Sequence, residues 1–113
     1  MPDPFWTVIA EQHKELESAR TADDVIRILR HDRNPYGPNW DGAAGDAFFA
    51  GSGGDKTVNA ALHTAGWTTV WAESAIYYTM RAPDGSRITY IEGDIYRGDR
   101  HGRNSEPSGE PAN

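Results

Sequence analysis

Apolar positions along the chain change period once. Phe5, Ile9, Gln12 and Leu16 recur at helical spacing, with Trp6 and Val8 flanking them. Asp3 before Pro4 supplies an N-cap and a first-turn proline, so the pattern predicts a helix over residues 4–19. Thr21 and Asp24 form a capping-box pair ahead of a second stripe, Ala22, Val25, Ile26 and Leu29, which runs to about His31. Asn34-Pro35 stops it, because the residue before proline is pushed out of the helical region. A third stripe, Val58, Ala61, Leu62 and Ala65, follows Asp55 as the expected cap and ends at Gly66. From Trp67 the period becomes two. Trp67-Thr-Thr-Val-Trp71 and Ala75-Ile-Tyr-Tyr-Thr-Met-Arg81 alternate, Pro83-Asp84-Gly85 marks a hairpin, and residues 86–92 return. Asp94-Ile95-Tyr96-Arg97 extends that strand or adds a short edge after Gly93. The expected architecture is α+β: three N-terminal helices followed by a three-stranded antiparallel β-meander.

The hairpin also predicts a register. With Ala82 opposite Ser86, Met80 pairs with Ile88 and Tyr78 with Tyr90; with Ile76 they form the expected core face. The other face carries Tyr77, Thr79, Arg81, Arg87, Thr89 and Ile91. Arg81 and Arg87 then lie directly opposite one another, which costs stability unless an anion is close. Glu73, Glu92 and Asp94 are the candidates. Residues 1–97 read as one domain. Residues 32–54 are rich in Gly, Asn and Asp, yet carry Tyr36, Trp40, Phe48 and Phe49. A flexible linker is poor in aromatics, so this is a long packed loop with a helical turn near residues 43–49. Residues 98–113 contain no large apolar side chain and read as a disordered polar tail.

Composition narrows the function. The chain has 113 residues and no cysteine, so disulfides, thiolate metal sites and thiol nucleophiles are excluded. The missing cysteines favour a cytoplasmic setting. No apolar run approaches the roughly 18 residues of a membrane span, and the N-terminus has neither the basic nor the apolar part of a signal peptide. The net charge is −6. That disfavours direct binding to nucleic acid or to anionic membranes, both of which recruit Lys and Arg.

The chemistry-bearing motifs weaken on inspection. Gly51-Ser-Gly-Gly-Asp-Lys-Thr57 resembles a phosphate loop, but Asp55 stands where glycine must precede the lysine. Asn39-Trp-Asp41-Gly42 resembles part of a calcium loop, but Gly37 and Phe48 fall on ligand positions. Asp41 and Asp46 are left as an ad hoc cation pair, and no metal or other cofactor is expected. His13 with Glu17, His31 and His63 have no evident catalytic partner in sequence. Glu92 and Asp94 at a strand end suit either acid–base work or neutralisation of Arg81, Arg87 or Arg97.

The aromatics are the richest signal. Four Trp and five Tyr exceed what a small core needs. Tyr77 and Ile91 make the best exposed apolar patch, and aromatic and Arg side chains dominate protein interfaces. Tyr77, Thr79, Arg81, Arg87 and Ile91, with Tyr36 and Trp40 on the loop, are therefore the candidate protein-binding residues. The alternative is that a loop or helix covers that face.

Two stretches, Ala19-Arg-Thr-Ala-Asp-Asp-Val-Ile-Arg-Ile-Leu29 and Tyr78-Thr-Met-Arg-Ala-Pro-Asp-Gly-Ser-Arg-Ile-Thr-Tyr-Ile-Glu-Gly-Asp-Ile-Tyr-Arg97, resemble small proteins encoded by bacteriophages and mobile elements of high-GC Gram-positive bacteria. The resemblance spans about residues 5–98. It carries over no catalytic residue and implies an accessory protein in the host cytoplasm. The leading expectation is a noncatalytic protein that binds a host protein or itself. The alternatives are an acidic nucleic-acid mimic, whose carboxylates should cluster on one face, and a small enzyme using Glu92, Asp94 or His63.

Overall fold

A computed structural model describes residues 4–35, 44–51 and 56–100. The class is α+β. Helix α1 spans Pro4–Leu16, α2 Ala22–Ile28 and α3 Val58–Thr64, with a 3₁₀ turn at His31–Arg33. Strands are β1 Ala47–Phe48, β2 Thr68–Ser74, β3 Tyr77–Arg81, β4 Arg87–Ile91 and β5 Asp94–Arg97.

The helices form for local reasons and end sooner than the periodicity suggests. α1 buries Ile9, Gln12 and Leu16 and stops at Leu16, after which the chain turns through a buried Ala19. The Thr21 hydroxyl caps α2 by accepting from the Asp24 amide at 3.0 Å, and the Asp24 carboxylate reaches back to the Arg20 amide at 2.9 Å. α2 ends at Ile28 rather than near His31. Its next carbonyl, that of Leu29, accepts from the Phe48 amide at 3.0 Å, so strand backbone satisfies the helix end. The cap of α3 is Thr57, which accepts from the Ala60 amide at 3.0 Å; Asp55 and Asp3 lie outside the described residues. Gly66, at φ 96°, closes α3 with the paired bonds of a Schellman motif, Trp67 amide to Leu62 carbonyl and Gly66 amide to His63 carbonyl.

The sheet has five strands, not three, in the order β1-β5-β4-β3-β2. β2 to β5 are consecutive hairpins, so the expected meander gains β5 as a full member. The segment expected to make a helical turn near residues 43–49 instead supplies β1, pairing Ala47 with Ile95 and Phe48 with Asp94. Side chains stitch it down. The Asp94 carboxylate accepts the Ala44 and Gly45 amides, and that of Asp46 accepts the Arg97 amide. The predicted register of β3 against β4 holds at Tyr78–Tyr90, Met80–Ile88 and Arg81–Arg87.

One sheet face packs Tyr78, Met80, Ile88, Tyr90 and Ile95 into a single buried cluster with Ile9, Leu16, Val25, Leu29 and Leu62. Ile76 does not join it. The register pairs Ser74 with Tyr77, which leaves Ala75 and Ile76 as a two-residue turn, and Ile76 is 51% exposed. Trp67 precedes β2; it is buried, and its indole N–H donates to the Ala19 carbonyl at 2.9 Å. Among the described residues, no helix is long and apolar enough to cross a membrane.

Candidate functional site

The outer sheet face is partly closed by the chain itself. Tyr77, Thr79, Arg81, Arg87 and Ile91 share that face as expected, but Thr79 and Thr89 are fully buried on it. Residues 98–100, which by composition belong to the polar tail, lie across it. The Thr89 hydroxyl donates to the Gly98 carbonyl at 2.7 Å and accepts from the Arg100 amide at 3.0 Å. Its one proton is thereby committed, so Thr79 donates across the 2.8 Å threonine pair. The Tyr77 hydroxyl donates to the Arg100 carbonyl at 2.7 Å, and the Arg100 guanidinium lies 4.4 Å above the Tyr96 ring. Trp71 meets Tyr77 edge-to-face at 4.9 Å. Thr79 is thus a buried packing residue, not a contact residue. Tyr77, Arg87 and Ile91 are half-buried, while Arg81 is exposed. Tyr36 and Trp40 lie outside the described residues.

The anions assigned to the arginine pair also differ. Asp99 binds Arg87 at 3.0 Å, and Asp23 binds Arg97. Asp94 accepts backbone amides, and among the described residues no ion pair joins Glu73, Glu92 or Asp94 to Arg81, Arg87 or Arg97. His63 bonds the Thr69 hydroxyl at 3.0 Å on the β2 edge. Asp94 is on β5, three strands away, or roughly 14 Å at ordinary strand spacing. The fold does not bring Glu92, Asp94 and His63 together. His31 contacts the Gly45 carbonyl and His13 the Glu17 carboxylate. Among the described residues, no cluster of His, Asp and Glu suits a metal ion. Carboxylates are interleaved with arginines in pairs such as Glu15–Arg33 and Asp24–Arg27 rather than gathered as a phosphate-like stripe.

A different surface stands out at the end of the sheet where the β2–β3 and β4–β5 turns meet. Ile76 sits at the tip of the first turn, and its carbonyl accepts from the Glu92 amide in the second at 2.9 Å. Between them opens a hollow of about 390 Å³ walled by Phe48, Phe49, Ile76, Tyr90, Glu92 and Gly93. Glu92 and Gly93 both have positive φ, 49° and 99°. That is the I′ pattern, in which Asn, Asp or Gly is usual at the first position and Glu is not. Gly93 is required twice, since a Cβ there would lie 2.6 Å from the Phe48 ring. Beyond the hollow, Tyr78 and Tyr90 stack with ring centroids 4.9 Å apart. Burial pushes both phenols above their ordinary range. On the far side of this pair lies a second hollow of about 400 Å³, lined by Thr57, Asn59, Thr69, Ser74 and Tyr78.

The sequence hid this end. Ile76 has the same parity as Tyr78 and Met80, and no Gly, Pro or Asn marks the turn before it. The available signal was Ser74, whose hydroxyl accepts from the Ile76 amide at 3.2 Å. Comparison with protein families, with curated proteins and with solved structures finds no match.

Proposed function

We propose that this chain is a noncatalytic binding protein that engages another protein through the apolar end of its sheet. The observation that carries the reading is the half-exposed Ile76 at the lip of an aromatic-floored hollow. A large aliphatic side chain at a turn tip gains nothing from exposure, and burial by a partner of the half of Ile76 that is still exposed is worth about 1–1.5 kcal/mol. The outer face is the weaker candidate, because residues 98–100 already satisfy its polar groups. The likeness of residues 19–29 and 78–97 to phage and mobile-element proteins suggests a partner in the host cytoplasm.

Self-assembly through the β2 edge is disfavoured. The ladder to β3 shifts register between Thr69 and Trp71 and again between Ala72 and Ser74. Bulges of this kind break the continuous row of backbone groups that a second strand needs.

The test is a nuclease-treated pull-down from the lysate of a high-GC Gram-positive host, read by mass spectrometry. The expected result is one protein captured by the wild type and by a folded Tyr77→Arg, Ile91→Asp variant, and lost with Ile76→Asp. Capture that survives Ile76→Asp, or no capture at all, removes the apolar end as the site.

A further inference from the structure

The charge at the apolar end narrows what can dock there. Glu92 is the one charged side chain among the described residues walling the hollow. It is exposed and makes no ion pair among the described residues, whereas Glu15, Asp23, Asp24, Asp32 and Asp99 each hold an arginine. A backbone bond ties Glu92 to Ile76, and both residues wall the same hollow. Glu92 also occupies a left-handed position that Asn would fill with less strain. Non-glycine strain of this kind recurs at ligand clamps.

Resting on the protein-binding reading above, we infer that the docking segment of the partner carries one large apolar side chain beside a Lys or Arg. The apolar group enters between Ile76 and Tyr90, above Phe48 and Phe49, and the cation pairs with Glu92. A second copy of this chain is the poorer occupant. An isologous contact centred on Ile76 would set Glu92 against Glu92, between two molecules of net charge −6. The same charge steers a basic segment toward the site.

The experiment is a display selection of random dodecapeptides on the immobilised full chain, repeated on Ile76→Asp and Glu92→Asn, with sedimentation of the wild type alongside. Glu92→Asn relieves the turn, so a change in its selection cannot be blamed on unfolding. The wild type should enrich peptides with a large apolar residue within two positions of Lys or Arg. Glu92→Asn should keep the apolar preference, lose the basic one and bind the selected peptides roughly 2–5-fold more weakly, the span of an exposed charge pair. Ile76→Asp should weaken them at least about tenfold. Ile76-dependent peptides without basic preference, or a preference that survives Glu92→Asn, overturn this inference and leave the protein-binding reading standing. No enrichment, or enrichment indifferent to Ile76→Asp, sinks both. A wild-type dimer that Ile76→Asp dissolves assigns the end to a second copy and overturns the inference.

Discussion

Glu92 and Thr89 show how single residues set local energetics in opposite directions. Glu92 holds a positive φ that asparagine tolerates better, so Glu92→Asn should raise stability by roughly 0.5–1 kcal/mol in urea unfolding. Thr89 is the hub of the outer face, bonded to Thr79, Gly98 and Arg100 through one hydroxyl. Thr89→Val keeps the shape and orphans those partners. Its cost should be about 1–3 kcal/mol, with faster amide exchange at Arg100. A loss well under 0.5 kcal/mol would mean that residues 98–100 lie on the sheet without contributing to its stability. Gln12 is the contrasting case. It is fully buried, its amide donates to the Ile28 carbonyl at 3.4 Å, and its Oε1 has no partner among the described residues.

At the scale of elements, α3 is too short to persist alone. Its seven residues are held by an N-cap at Thr57, a Schellman close at Gly66 and burial of Val58, Ala61 and Leu62. Thr57→Ala should cost about 1 kcal/mol through the lost cap. Gly66→Ala should cost about 1–2 kcal/mol, because a Cβ is strained at φ 96° although space is available there. Thermal unfolding of the two variants separates the ends of the helix. If Gly66→Ala is neutral, the left-handed close is not what stops α3. At the sheet edge β2 carries the two bulges described above, so the isolated protein should sediment as a monomer.

For the whole molecule, pH acts through a few groups. Burial raises the Tyr78 and Tyr90 phenols, so the folded state holds those protons more tightly than the unfolded chain. Their contribution is complete below the ordinary phenol range near pH 10 and is lost progressively as pH rises above it. Ultraviolet titration should show these two tyrosines ionising late, together with unfolding. On the acid side, Arg33 lowers Glu15, and the Arg20 amide lowers Asp24. Their contributions are present above the ordinary carboxylate range, near pH 4, and fade as pH falls through the depressed values. Both carboxylates are solvated, so the acid limb should be shallow.

The three helices, the capping residue Thr21, the stop at Gly66 and the β3–β4 register were legible in the chain before any fold was known. Each rests on contacts between residues close in the chain, where periodicity and turn chemistry act directly. Tertiary structure alone decided the rest. β1 forms because β5 offers an edge and Asp94 holds the Ala44 and Gly45 amides across a separation of about 50 residues. Thr79 is buried because residues 98–100 return over it, and no local pattern encodes that return. Ile76 is exposed because β2 ends at Ser74 and β3 begins only at Tyr77, which leaves it in the turn although its parity is that of the core face. Alternation gives the parity of a side chain, but only the pairing of strands says where a hairpin turns. The apolar end, where Ile76 meets Glu92, is therefore a product of two turns meeting in space.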